Sequence, residues 1–213
     1  EVLYRKGVLF SEQGDHTAAL AMGDALIASS PNSSAGHLMR GIALFNKKQL
    51  RDAAVALQKA VALKPGVASH YYLAATLYGL QDLEQASGQI QKALDQNPSF
   101  AQGRVLLAMI LMNKKRIDDA VREAKKAVEL DDDDAAAHNV LGNAYLQKGM
   151  FTEGVAELNM ALEKNPKLVD ARVNKALVYL RRGKTGEGEA ELLTAVRISP
   201  EVLDSRMVLA SYY

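Results

Sequence analysis

The 213-residue chain contains only five prolines, and all of them fall on one ladder: Pro31, Pro65, Pro98, Pro166 and Pro200. Successive gaps are 34, 33, 68 and 34 residues, and the long gap is a double step whose missing rung is Asp132. Proline lacks the amide hydrogen a helix needs and clashes with the preceding turn, so its regular return marks a regularly returning helix end. A chain punctuated in this way folds as a series of like units stacked on one another, not around a single central core.

Three further ladders keep the same step. One reads Gly7, Gly41, Ala74, Ala108, Gly142, Ala176 and Ala210. The next reads Ala19, Ala53, Ala86, Ala120, Gly154 and Gly188, and the last reads Leu26, Ala60, Ala93, Ala127, Ala161 and Ala195. Small residues at fixed places in two successive helices allow their backbones to approach closely. Gly14, Gly149 and Gly183 lie between the two helices, where a turn wants a left-handed residue. Each unit is therefore expected to be two antiparallel helices of about 12–14 residues. The abundance of alanine and leucine and the absence of tryptophan favour helix over strand.

A step of 34 residues carrying small–x₂–aromatic or aliphatic, then Ala, Ala and Pro, resembles the tetratricopeptide repeat. The fullest match is Leu141-Gly142-Asn143-Ala144-Tyr145 with Gly149, Phe151, Ala161 and Pro166. The resemblance covers the whole chain and implies an all-α, right-handed superhelical solenoid. Its units are expected at 1–33, 34–66, 67–100, 101–134, 135–168 and 169–202, followed by the first helix of a seventh at 203–213. The chain opens at Glu1 without a methionine and stops within a helical pattern, as expected for part of a longer protein. One departure recurs: the aromatic usual early in the first helix is replaced by His37, His70, Arg104, His138, Arg172 or Arg206. A narrower resemblance rests on His70-Tyr71-Tyr72-Leu73-Ala74 through Leu83-Glu84-Gln85-Ala86, and on Leu203-Asp204-Ser205-Arg206-Met207-Val208-Leu209. Both stretches look like the bacterial repeat lipoproteins of exopolysaccharide and PEP-CTERM sorting systems. That likeness implies a periplasmic, outer-membrane-anchored parent; without it a cytoplasmic setting is equally open.

Composition narrows the chemistry. With no cysteine there is no disulfide frame, thiolate nucleophile or cysteine–zinc site, and the cytosol and the periplasm fit equally well. The 26 basic and 25 acidic residues nearly cancel, which argues against nucleic acid or an anionic membrane as partner. No apolar run is long enough to span a bilayer, so no direct membrane insertion is expected. Gly183-Lys184-Thr185 imitates the end of a phosphate loop, but Val178 stands where its first glycine belongs, so it reads as a turn. His37, His70 and His138 share one slot in different units. Helices pack about 8–10 Å apart, so these histidines cannot converge on one metal and are expected to pack near the helix interface. Asp131 to Asp134 reads as a helix-start cluster with Asp134 as cap, not a calcium site. No cofactor, metal or catalytic residue is expected.

What remains is the face of the first helices, where the resemblance places a concave groove at slots two, five, six, nine, twelve and thirteen. The candidate partner-binding residues are Leu38, Ile42, Phe45, Tyr71, Tyr78, Met109, Met112, Asn139, Asn143 and Asn174, and Met39, Tyr72, Val105 and Leu106 occupy slots of the same face. Asn139 and Asn143, four apart, share one helix face and can donate to and accept from an extended backbone. Tyr4, Leu38, Tyr71 and Val105 stand at the fifth slot, where clamps for acidic tails carry lysine, so an acidic chaperone tail is not the expected ligand. The reading is a protein-interaction scaffold, not an enzyme, that takes a partner's peptide or helix in the groove. It is placed within an exopolysaccharide export or protein-sorting system by the narrower likeness. The rival is a non-catalytic domain that recruits substrate for a larger enzyme. End-to-end self-association through the unpaired last helix is also expected.

Overall fold

The computed structural model describes residues 2–200, and among these every regular element is an α-helix. Twelve follow in order: α1 Val2–Glu12, α2 His16–Ser29, α3 Ser34–Asn46, α4 Leu50–Leu63, α5 Val67–Gly79, α6 Leu83–Gln96, α7 Ala101–Asn113, α8 Ile117–Leu130, α9 Ala135–Gln147, α10 Phe151–Lys164, α11 Val169–Arg181 and α12 Thr185–Ile198. The expected seventh-unit helix at 203–213, and the self-association assigned to it, lie outside the described residues.

The helix ends follow the proline ladder. The residue before each rung leaves the helical region as it caps its helix, with φ of −151° at Ser30, −153° at Lys64, −139° at Asn97, −135° at Asn165 and −140° at Ser199. Proline disfavours the helical region for the residue preceding it. Asp131, with φ −152° and no proline after it, does the same. There the turn is held by Asp131 Oδ1 accepting from the Asp133 amide and by Asp134 Oδ1 accepting from the Ala136 amide at 2.8 Å. The acidic run is thus a turn and a cap, with Asp133 paired to Lys164 across to α10. Within each unit the turn between helices carries a positive φ at one register position: Gly14 (75°), Lys48 (61°), Gln81 (63°), Lys115 (61°), Gly149 (84°) and Gly183 (71°).

Packing divides the described residues into two compact units, 2–110 and 111–200, and the boundary falls within α7. In the first unit α1 packs on α2, α3 on α4 and α5 on α6. The first helices also touch each other, α1 to α3 and α3 to α5, and no comparable contact joins α2 to α4 or α4 to α6. First helices therefore lie on the tighter, inner side of this stack. The second unit repeats the arrangement: α9 packs on α10, α11 on α12, and α9 touches α11. Its core joins Leu158, Ala161 and Ala171 with Leu146, Leu162 and Leu168. The helix crossing explains the small-residue ladders. A Cβ at Gly142 would meet the Gly154 carbonyl at 3.0 Å, and a Cβ at Gly154 would meet the Gly142 carbonyl at 3.1 Å. Elsewhere alanines at the same two slots are fully buried: Ala19, Ala53, Ala74, Ala86, Ala108, Ala120 and Ala176.

Candidate functional site

The slot where the sequence departs from an aromatic turns out to be a clamp. His37 Nε2 lies 3.0 Å from the Pro31 carbonyl, His138 Nε2 lies 3.1 Å from that of Asp132, and Arg172 donates to that of Pro166 at 3.0 Å. Arg104 reaches the Pro98 carbonyl in the same way. Each side chain thus satisfies the carbonyl of a proline-ladder residue six positions earlier, just beyond the preceding helix. A second bond ties the slot to its partner helix: His70 Nδ1 to Gln89 at 2.7 Å, His138 Nδ1 to Glu157 at 2.7 Å and Arg172 to Glu191 at 2.9 Å. His70 and His138 are buried, so these histidines hold the helix interface together. Among the described residues no group of three potential ligands could hold a metal ion.

In the first unit, Leu38 and Ile42 stand half-buried on one wall of a cleft of about 300 Å³. Its other walls are Val8, Ser11 and Glu12 of α1, Ala35, Met39 and Asn46 of α3, and Tyr72 of α5. Every one of these lies at a groove slot. The sequence reading missed Val8, Ser11, Glu12, Ala35 and Asn46. Carrying the slot register back into the first, irregular unit would have picked out the first three. Phe45 and Tyr71 are half-buried in a run of edge-to-face rings: Phe45 to Tyr72 at 6.1 Å, Tyr72 to Tyr71 at 5.3 Å and Tyr71 to Phe100 at 5.1 Å. Such pairs stabilise by roughly 0.5–1.5 kcal/mol beyond burial, so Tyr71 supports packing as well as facing outward. Tyr78 and Met109 are also half-buried.

Three apolar members of the expected face are withdrawn from it: Val105, Leu106 and Met112 are 6–8% exposed and pack within the stack, whereas Met39, though buried, still lines the cleft. Met112 keeps only its sulfur for a polar neighbour, accepting from Gln147 Nε2 at 3.7 Å. In the second unit Asn139 and Asn143 on α9 and Asn174 on α11 remain half-buried. Asn143 reaches Asn139 only at 3.5 Å, the limit of a hydrogen bond, so both amides keep hydrogen-bonding capacity to spare.

The second-helix side offers a contrast. A cleft of about 400 Å³ lies along α8 beside Asp118, Arg122, Lys125, Lys126 and Glu129, and its charges are largely spent on each other or their neighbours. Lys148 pairs with Asp118 at 2.7 Å and Lys126 with Glu123 at 2.9 Å. Arg122 and Arg116 hold the Asp119 carboxyl below its ordinary value. Tyr145, whose ring centroid lies 5.6 Å from Lys125 Nζ, raises that ammonium above its ordinary value.

Comparison with known proteins agrees with this geometry. Family models described as tetratricopeptide repeat match residues 1–33 and 111–178, and the model of the second ARM domain of tetratricopeptide repeat protein 21 matches residues 19–115. No curated protein sequence matches the chain. Among solved structures, the APC/C hetero-tetramer Cut9-Hcn1 superposes with a TM-score of 0.89 at 18% identity, over 98% of this chain and 42% of that one. The chain thus spans well under half of that relative. The Pseudomonas aeruginosa pilF protein gives 0.78 at 12% identity, over 99% and 96% of the two chains. YrrB, described as a repeat protein with an unusual peptide-binding site, gives 0.61 at 19%, over 87% and 96%.

Proposed function

This chain is a tetratricopeptide-repeat protein, and from that premise we propose that it is a protein-interaction scaffold that seats a partner's peptide or helix on the face of its first helices. The observation that supports this most directly is the cleft between α1, α3 and α5, where Leu38 and Ile42 leave apolar surface uncovered beside polar groups. Apolar anchors in a pocket with a polar rim are the usual energetic centre of a protein interface. Asn139, Asn143 and Asn174 form a second seat, suited to the backbone of an extended segment. Phe45, Tyr71, Tyr78 and Met109 supply adaptable apolar surface in the first unit. Partner capture of this kind fits the hetero-tetrameric assembly of Cut9-Hcn1 and the peptide site described for YrrB.

Within this reading, residues 1–213 act as one repeat array. Its setting is a bacterial export or sorting system for exopolysaccharide or protein, on the periplasmic side. Recruitment of substrate to an appended enzyme would use the same groove. The test is selection of a displayed peptide library on the chain, followed by Leu38→Ala with Ile42→Ala. Selected peptides are expected to lose more than about 1 kcal/mol of binding, with helicity unchanged. If no peptide is enriched, or the double variant binds as before, the groove reading fails.

A further inference from the structure

The polar lining of the first-unit cleft is unspent. Glu12 makes no ion pair or hydrogen bond to any described residue, and the Asn46 amide and the Tyr72 hydroxyl likewise have no partner among the described residues. Ser11 gives its proton to the Gly7 carbonyl at 3.0 Å, which leaves its oxygen free to accept. No lining residue is cationic. The cations of α3 and its following turn are engaged elsewhere: Arg40 with Asp24 at 2.7 Å, Lys47 with Thr17 at 3.0 Å and Lys48 over the Phe45 ring at 5.9 Å. The cleft therefore combines aliphatic walls with a rim of hydrogen-bond acceptors and a single uncompensated negative charge.

That combination selects one kind of occupant. A purely apolar side chain would strip water from Glu12, Asn46 and Tyr72 and return no hydrogen bond. An acidic side chain would set two carboxylates together in one cleft. A long alkyl stem ending in a cation satisfies both parts, with methylenes on the walls and the charged head among the acceptors. Building on the groove reading above, we propose that this cleft receives a lysine or arginine side chain of the partner, its stem against Val8, Leu38 and Ile42 and its head at Glu12, Asn46 and Tyr72.

The test uses short capped peptides of alternating leucine and alanine with lysine, arginine, norleucine or glutamate at the centre. Each is titrated into the whole chain while the methyl NMR signals of Val8, Leu38 and Ile42 are followed. The lysine and arginine peptides are expected to shift these methyls and to bind at least about fivefold more tightly than the norleucine peptide, with glutamate weakest. Glu12→Gln, an exposed change whose helicity is checked by circular dichroism, should abolish that preference by weakening the lysine and arginine peptides. Norleucine or glutamate binding as tightly as lysine, or a preference surviving Glu12→Gln, overturns the basic-side-chain assignment while the groove reading stands. Absence of methyl shifts with every peptide overturns both at this cleft.

Discussion

At the scale of single residues, the turn inside each unit stores a measurable strain. The same register position is left-handed in all six units, yet it carries glycine in three and Lys48, Gln81 or Lys115 in the others. A side chain in this region brings Cβ against the following carbonyl, at roughly 1–2 kcal/mol before the larger unfolded-state entropy of glycine is deducted. Lys115→Gly should therefore raise stability by about 0.5–1 kcal/mol, and Gly149→Ala should lower it by about 1 kcal/mol. Urea unfolding reads both, and a loss of stability in Lys115→Gly would show that its side chain contributes more than its backbone costs. One turn further on, Asp119 is held below its ordinary carboxylate value by Arg122 first and Arg116 second. For a depressed carboxylate, the stabilising contribution is present above the unfolded value of 3.8 and disappears as pH falls through the lower folded value.

Helix pairs differ in what holds them. Leu73, Leu107 and Leu141 are buried at one slot of α5, α7 and α9, but α11 puts Lys175 there. Lys175 Nζ and Arg172 Nη1 converge on Glu191 of α12 at 2.8 and 2.9 Å, with all three side chains 14–19% exposed. Arg172 Nε is buried without a partner. Pairing by ions in place of leucine makes α11–α12 depend on a single carboxylate. Glu191→Ala leaves two half-buried cations uncompensated and should cost roughly 1–3 kcal/mol. Stability in a repeat array is a sum of unit and neighbour terms. Amide hydrogen exchange should accordingly quicken in α11 and α12 and stay unchanged in α1 to α6. Uniform acceleration along the chain would contradict that additivity.

Across the described residues, all backbone hydrogen bonding of the regular elements is helical. Circular dichroism should report helix with a strand content below about a tenth, far under the usual globular share. A larger strand signal would be incompatible with the repeat. Within the compact units the first helices touch, α1 to α3, α3 to α5 and α9 to α11, and no comparable contact joins second helices among the described residues. This asymmetry gives the binding face its place: the slots that meet on the inner side are the ones left to share a cleft.

The period, the helix ends, the close-packed slots and the turn register could all be read from the residues, because each depends on chemistry confined to one or two helices. Proline ends a helix wherever it stands, and glycine or alanine is required wherever two backbones cross, as at Gly142 and Gly154. Even the absent proline at Asp132 did not obscure the repeat, since Asp131 adopts the same extended cap. Exposure within the groove was not legible in this way. Leu38 and Met112 sit at equally promising slots, but Leu38 lines a cleft while Met112 is closed over by a neighbourhood that includes Gln147, 35 residues away. Nor did the sequence disclose that His138 or Arg172 would clamp a carbonyl six residues back, or that Glu12 and Asn46 would face one cleft without partners. Local periodicity determined the units. Which of their side chains remain free for a partner was decided only by the tertiary structure, because that depends on which neighbours from distant sequence cover them.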